Sequence, residues 1–517
     1  MDLALLPRFH YHRIMSQIIQ LFQNVISLFT INNILMFTLC TFAGIIVGCL
    51  PGLSASIGIA LLTSLTYGTD TNTAMVMLMS IYIGAIYGGS ISAVIIGIPG
   101  TGSNSATILD GYPLAKKGEG WKALTVTTIA SFFGTIFGTI FLALFTPLLL
   151  KVALNFTSAE YALLAIFGLT ICGSLTSAGE PIKGWIAGFI GLLISSIGFD
   201  SIYSYPRFTF GNIGLLNGIN LVPAMIGLFG IPAVLNSLSN IQVDIKKTSL
   251  NKSNSANIFT LLSKHWKLVL KSGLIGTFIG TIPGVGEDVA AWMSYDAAKK
   301  SSKEPELYGN GSYEGLIACE TANNACIGGA MIPLLSLGVP GSGPCAILLG
   351  ALTLHGIKTG PMLAKTNPGF IIQISAIIIV ASLFMRFGGL IVSRFAPYIL
   401  SIPNFILMPI IVALCVIGSY AIYVTKIDIY VMFFMGILGF VLDRLKYPAA
   451  PCVLGIILGG LLDSNLRRNL MATNGSLINF VSRPIALIVL VLILFSLLSQ
   501  TKMYKKMVGK LVKRSKR

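Results

Sequence analysis

Between Ile14 and Ala115 the chain carries no Lys or Arg, and inside that run Leu50-Pro51-Gly52-Leu53-Ser54 interrupts an apolar stretch of membrane-spanning length. Proline lacks the N–H and clashes with the preceding turn, and glycine lets the backbone turn away, so the pair stops a helix and frees carbonyls before it and N–H groups after it. In hydrocarbon such groups have no water to bond. They are tolerated only against other protein or a water-filled cavity.

The rest of the chain sets the same constraint. Apolar segments of roughly 18 or more residues, each able to cross a ~30 Å hydrocarbon core as a helix, recur from Ile14 to Leu498. Only 10% of the 517 residues are charged, against about 25% in soluble domains. The expectation is an all-α polytopic membrane protein of about ten to fourteen helices. Net charge is +17, but much of it lies in Lys502, Lys505, Lys506, Lys510, Lys513, Arg514, Lys516 and Arg517. That tail reads as a cytoplasmic, positive-inside anchor against anionic lipid and not as a nucleic-acid arm. The eight cysteines contain no C-x-x-C pair and read as packing residues. The opening residues lack the pattern of a cleaved signal, and IMSQIIQLFQNVISLFTI reads as a first span or an interfacial helix, the span being favoured.

The Pro-Gly break is duplicated. TFAGIIVGCLPGLSASIGIA matches GLIGTFIGTIPGVGEDVAAW, placing Pro51-Gly52 opposite Pro283-Gly284. GGSISAVIIGIPGTGSNSA matches GGAMIPLLSLGVPGSGPCA, placing Pro99-Gly100 opposite Pro340-Gly341. The chain divides into an N-terminal segment (1–33), two membrane repeats (34–240 and 267–500), a polar cytoplasmic linker (241–266) and the basic tail (501–517). No basic residue flanks the first break, so both ends of that segment read as external. Lys264, Lys267 and Lys271 precede the third break and Lys299, Lys300 and Lys303 follow it, so both of its ends read as cytoplasmic. The two hairpins are then re-entrant from opposite sides, an inverted-topology repeat of the kind that builds many secondary transporters.

Residues after each break fit helix starts. Ser54 and Ser56 follow the first, Thr101, Ser103 and Asn104 the second, Gly286 with Glu287 and Asp288 the third, and Ser342 with Pro344 the fourth. A helix N-terminus carries about +0.5 charge, so converging half-helices can bind a carboxylate with no buried Lys or Arg. The expected anion site is therefore Pro51, Gly52, Ser54, Ser56, Pro99, Gly100, Thr101, Ser103, Asn104, Pro283, Gly284, Gly286, Pro340, Gly341 and Ser342. Other glycines, Gly134 and Gly138 among them, read as close-packing positions. Candidate coupling-ion residues are Asp288, Glu320, Asn323, Asn324 and Asp110, because carboxylates and amides inside a membrane need partners. Asp288 reads equally as a helix cap, Asp110 as the end of a helix near the surface, and Glu320 as interfacial charge.

At GCLPGLSASIG, YGGSISAVIIGIPGT, GTIPGVGEDVAAWMSYDAAKKSSK, ETANNACIGGAMIPLLSLGVPGSG and YPAAPCVLGIILGGLLDSNLRRNL the chain resembles the large membrane subunit of the tripartite tricarboxylate transporters, over nearly its whole length. The resemblance implies a multi-pass permease of the bacterial inner membrane. It also implies a small integral-membrane subunit, a periplasmic solute-binding protein, carboxylate uptake on an ion gradient, and no cofactor beyond Na⁺ or H⁺. Gly102, Asn104 and Ser54-Ala55-Ser56 depart from the family's usual residues, which leaves the choice of carboxylate open.

Two other functions compete. An ion channel would use similar broken helices, and the inverted repeat favours alternating access over it. An enzyme finds little support: there is no H-E-x-x-H or nucleotide loop, His10, His12, His265 and His355 are scattered, and Asp288 and Asp296 have the wrong order and spacing for an aspartyl dyad.

Overall fold

The computed structural model describes residues 19–175, 180–239 and 263–500. The start of the N-terminal segment, most of the polar linker and the basic tail lie outside the described residues. The chain is an all-α polytopic membrane protein, and two inverted repeats with broken helices organise it. Among the described residues five helices are long and apolar enough to cross a membrane.

The first repeat opens with α1 (Ile31–Cys49), the Pro51-Gly52 break, α2 (Ala55–Leu65), α3 (Thr71–Ile96), the Pro99-Gly100 break, α4 (Ser105–Lys116) and α5 (Gly120–Ala153). It continues with α6 (Ser158–Leu175), α7 (Pro181–Ser195), α8 (Leu221–Met225), a π-helical turn at Ile226–Gly230 and α9 (Ile231–Ser239). The second runs through α10 (Trp266–Gly280), the Pro283-Gly284 break, α11 (Gly286–Ser301), α12 (Tyr313–Leu337), the Pro340-Gly341 break and α13 (Gly343–Leu354). The short α14 (Leu363–Thr366) leads to α15 (Phe370–Leu400), α16 (Asn404–Ala421), α17 (Lys426–Arg444), α18 (Ala449–Ala472), α19 (Asn479–Ser482) and α20 (Pro484–Ser499).

Burial follows from the residue pattern. The helices α3 and α12 carry no segregated polar face, the polar residues of α12 such as Glu320, Asn323 and Asn324 being buried with the rest, and both helices are buried nearly throughout. They form the centre. Asp70 and Ser312 cap their starts, and Gly97 and Gly338 end them at φ 72° and 73°, left-handed values that cost glycine little. Glycines let neighbours approach closely at matching places in the two halves. A Cβ on Gly88 would lie 2.3 Å from Ile45 O, and one on Gly329 2.3 Å from Thr277 O. Gly134 and Gly138 are packing glycines as expected, with Thr321 O and Ala325 O directly over them. The outer helices repeat the same device. Gly191 of α7 lies on the Cys452 carbonyl of α18, and Gly227 in the π-helical turn lies on the Met432 carbonyl of α17.

Loop contacts define two faces. On one, Thr66 Oγ1 meets His355 Nε2 at 3.0 Å and Gln373 donates to Asn72 at 2.9 Å. On the other, Lys117 Nζ donates to Asn310 O at 2.7 Å and His265 lies 3.3 Å from Glu314. The α1–α2 hairpin therefore opens on the first face and the α10–α11 hairpin on the second. The halves α4 and α13, each of 12 residues, span about 18 Å apiece at 1.5 Å per residue, which puts the breaks near mid-depth of a ~30 Å core. An extramembrane tie fixes the loop after α7: Asp200 pairs with Arg207 and, at 2.5 Å, with Arg467, whose guanidinium holds the carboxyl well below the usual carboxylate range.

A membrane-impermeant thiol reagent checks this topology in single-cysteine variants lacking the native cysteines. Lys303→Cys should label from one side of the membrane only and Lys358→Cys from the other. Labelling of both from the same side contradicts the inverted arrangement.

Candidate functional site

All four breaks meet. Within each half the two breaks pack on each other through glycine: a Cβ on Gly100 would stand 1.8 Å from Gly48 O, and one on Gly341 2.2 Å from Gly280 O. In the second half the Gly284 and Gly286 N–H groups donate to Pro340 O and Gly341 O at 3.1 Å each. Gly284 is confined further, with φ 71° and the Cys172 and Leu454 side chains against it. Between the halves, Asp288 covers Gly102, its Oδ2 2.4 Å from where a Cβ would be, and Ser56 Oγ lies 3.4 Å from the same position on Gly343. These cross-contacts are equivalent under the repeat.

Cap chemistry matches the sequence expectation at two of the four starts. Ser54 Oγ accepts from Ile57 N, and Ser342 Oγ accepts from Cys345 N. Thr101 leads into a 3₁₀ turn at Gly102–Asn104 instead, and makes no side-chain cap. Its hydroxyl donates to Asn104 Oδ1 at 2.5 Å, with Ser103 Oγ 2.9 Å away. Gly52 (φ 90°), Gly102 and Asp288 are exposed, whereas Thr101, Ser103, Asn104, Pro283 and Ser342 are buried.

Two buried carboxylates adjoin the breaks. Glu320 on α12 is fully buried and not interfacial. It accepts from Thr107 Oγ1 at 2.5 Å, from Ser90 Oγ at 2.8 Å, from Ser131 Oγ at 2.9 Å and from Asn104 Nδ2 at 3.4 Å. Every one of these donors is neutral. Glu287, in the first turn of α11, accepts from the Tyr82 hydroxyl of α3, which also lies 3.2 Å from Ser342 Oγ. Asn324 donates to Glu320 O at 3.1 Å and to Asn323 Oδ1. Asn323 Nδ2 is buried without a hydrogen-bond partner.

Asp110 lies apart from these groups, under the α11–α12 loop. It is fully buried and not at the surface, because the α11–α12 loop folds over it. Oδ1 accepts from Gly309, Gly311 and Ser312 N at 2.8, 3.0 and 2.8 Å, and Oδ2 from Tyr295 at 2.9 Å. Its carboxylate clamps that loop. Sequence reasoning did not single out Tyr82, Ser90, Thr107 or Ser131 and took Glu287 as a cap. The one available signal was Glu287-Asp288 side by side after a break.

A predominantly helical membrane chain in two inverted repeats, with re-entrant hairpins and broken helices meeting at mid-depth, has the architecture of a secondary-transport permease. The profile of the Tripartite tricarboxylate transporter TctA family matches residues 34–454, and the chain belongs to that family. An Agrobacterium vitis relative, the "Uncharacterized 52.8 kDa protein in TAR-I ttuC' 3'region", is 36% identical over 446 residues, covering 86% of this chain and 88% of the relative. A second from the same organism, the "Uncharacterized protein in TAR-II ttuC' 3'region", is 37% identical over 211 residues, covering 41% of this chain and 87% of the relative. No solved structure matches.

The Asp110 clamp is open to a direct check. Asp110→Ala removes a charged acceptor from three amides and should speed hydrogen exchange at Gly309, Gly311 and Ser312 by at least ~10-fold. Unchanged exchange there would show that the carboxylate does not hold the loop.

Proposed function

We propose that the chain is the large permease subunit of a binding-protein-dependent secondary transporter in a bacterial inner membrane, importing di- or tricarboxylates with Na⁺ or H⁺ by alternating access. A small integral-membrane subunit and a periplasmic solute-binding protein complete it, and the Lys117–Asn310 face, with the basic tail, is cytoplasmic. Convergence of the four breaks carries this reading. Four half-helix starts are aimed at one region, and the sequence has no Lys or Arg in 14–115, 272–298 or 304–357, so backbone dipoles and hydroxyls supply the positive field.

The acids explain coupling. A carboxylate substrate brought beside Asp288, Glu287 and Glu320 meets like charge, and repulsion at short range in a low dielectric is severe. Cations that neutralise these groups lower that barrier. Substrate and cation then bind better together than either alone, which is the thermodynamic basis of symport. In this reading Glu320 and Asp288 take the cation, and Asn104 links Glu320 to the break at Thr101-Gly102-Ser103.

Uptake of labelled succinate and citrate into vesicles, with binding protein supplied and a Na⁺ or pH gradient imposed, tests the function. Accumulation should require one of the two gradients, and counterflow should be observed, as a channel would not show it. Glu320→Gln should reduce gradient-driven accumulation by more than ~10-fold, given the conserved geometry but lost charge. Full accumulation in that variant would remove Glu320 from coupling.

A further inference from the structure

We propose that Asn323 Nδ2 receives a carboxylate group of the substrate, in the position that is repeat-related to the one Glu287 fills beside Tyr82. The inference rests on the carboxylate-permease reading and adds to it the group that recognises the anion.

The repeat supplies the argument. Aligning Pro51 with Pro283 sets Ala55 opposite Glu287 and Ser56 opposite Asp288, and aligning Pro99 with Pro340 sets Tyr82 opposite Asn323, Thr101 opposite Ser342 and Gly102 opposite Gly343. The equivalence holds at the level of side chains, since Asp288 over Gly102 and Ser56 over Gly343 are the same contact made twice. It holds for backbone too, in the Gly100–Gly48 and Gly341–Gly280 approaches.

One triad breaks the symmetry. Where the central helix of the first half meets the breaks of the second, a hydroxyl donor (Tyr82), a carboxylate from the re-entrant hairpin (Glu287) and the hydroxyl at the second break (Ser342) come together. The repeat-related residues, on the central helix of the second half and the breaks of the first, are Asn323, Ala55 and Thr101. A donor and a break hydroxyl are kept, and the carboxylate is replaced by a methyl group. The donor is correspondingly unused: Asn323 is fully buried and its Nδ2 bonds to nothing, while Asn324 holds its Oδ1.

A buried N–H with no acceptor loses its hydration without compensation. The matching acceptor is a carboxylate, as Tyr82 meets in Glu287 at the repeat-related position. A cation needs oxygen ligands, and Asn323 offers its nitrogen. The repeat equivalence and the unused Nδ2 together point Asn323 to the substrate and leave the cation to the carboxylates.

Binding of radiolabelled succinate and citrate to the purified permease, reconstituted in nanodiscs with its small membrane subunit, isolates this step from the solute-binding protein. Asn323→Ala should weaken probe binding at least ~10-fold, the loss of one charge-assisted hydrogen bond, with the Na⁺ or H⁺ concentration for half-maximal binding unchanged. Asn323→Asp, nearly isosteric and therefore informative where the alanine variant folds poorly, should weaken it further by like-charge repulsion. Unaltered probe affinity in either folded variant overturns the proposal. So does a shift in cation dependence at constant probe affinity, which would place Asn323 in the cation site. Failure of the unmodified protein to bind or transport either probe would instead overturn the carboxylate reading, and this inference with it.

Discussion

Backbone groups set free at mid-membrane depth must be bonded by protein, and the structure follows from how that is done. Gly284 and Gly286 N–H groups spend themselves on the carbonyls of Pro340 and Gly341, and Gly100 N donates to Gly89 O at 3.4 Å. In the second half such bonds require the two breaks to touch, and in the first the Gly100 approach to Gly48 O brings them together. Touching in turn requires glycine wherever one backbone crosses another, since a methyl group on Gly100 or Gly341 would overlap a carbonyl. Once the breaks are paired, the helices leaving them start from one region, and their N-terminal dipoles have no choice but to add.

Symmetry sets the frame and its violations supply the chemistry. The second repeat contributes Glu287, Asp288 and Glu320, and the first contributes the neutral hydroxyls and amide that hold Glu320. In the proposed mechanism an anion drawn by four helix starts meets a region whose own carboxylates oppose it, and small cations tip the balance. Coupling then follows from the electrostatics of the residue set.

Much of the fold was legible because the relevant signals are local. Pro-Gly pairs recur in register, and the absence of Lys and Arg marks which stretches lie deep, so the two opposed hairpins followed from loop charge alone. Packing glycines were also legible at Gly134 and Gly138, where spacing states the approach. The side-chain partnerships were not. Nothing near Ser90, Thr107 or Ser131 distinguishes a carboxylate ligand from the hydroxyls that bond back along apolar helices, as Thr135 and Thr139 do here. Glu320 read as interfacial because sequence distance from a basic loop was taken for depth, and Asp110 as the end of a helix near the surface. Both are buried, one in the membrane and one beneath a loop that folds back over it.

The central claim is that the breaks of the two halves form one working site. Ser56 and Gly343 bring it to a single contact, close enough for a disulfide. In a background without native cysteines, Ser56→Cys with Gly343→Cys should form an oxidant-dependent cross-link, detected by mass spectrometry, that stops carboxylate uptake until it is reduced. Failure to cross-link, or undiminished uptake while cross-linked, would contradict the account.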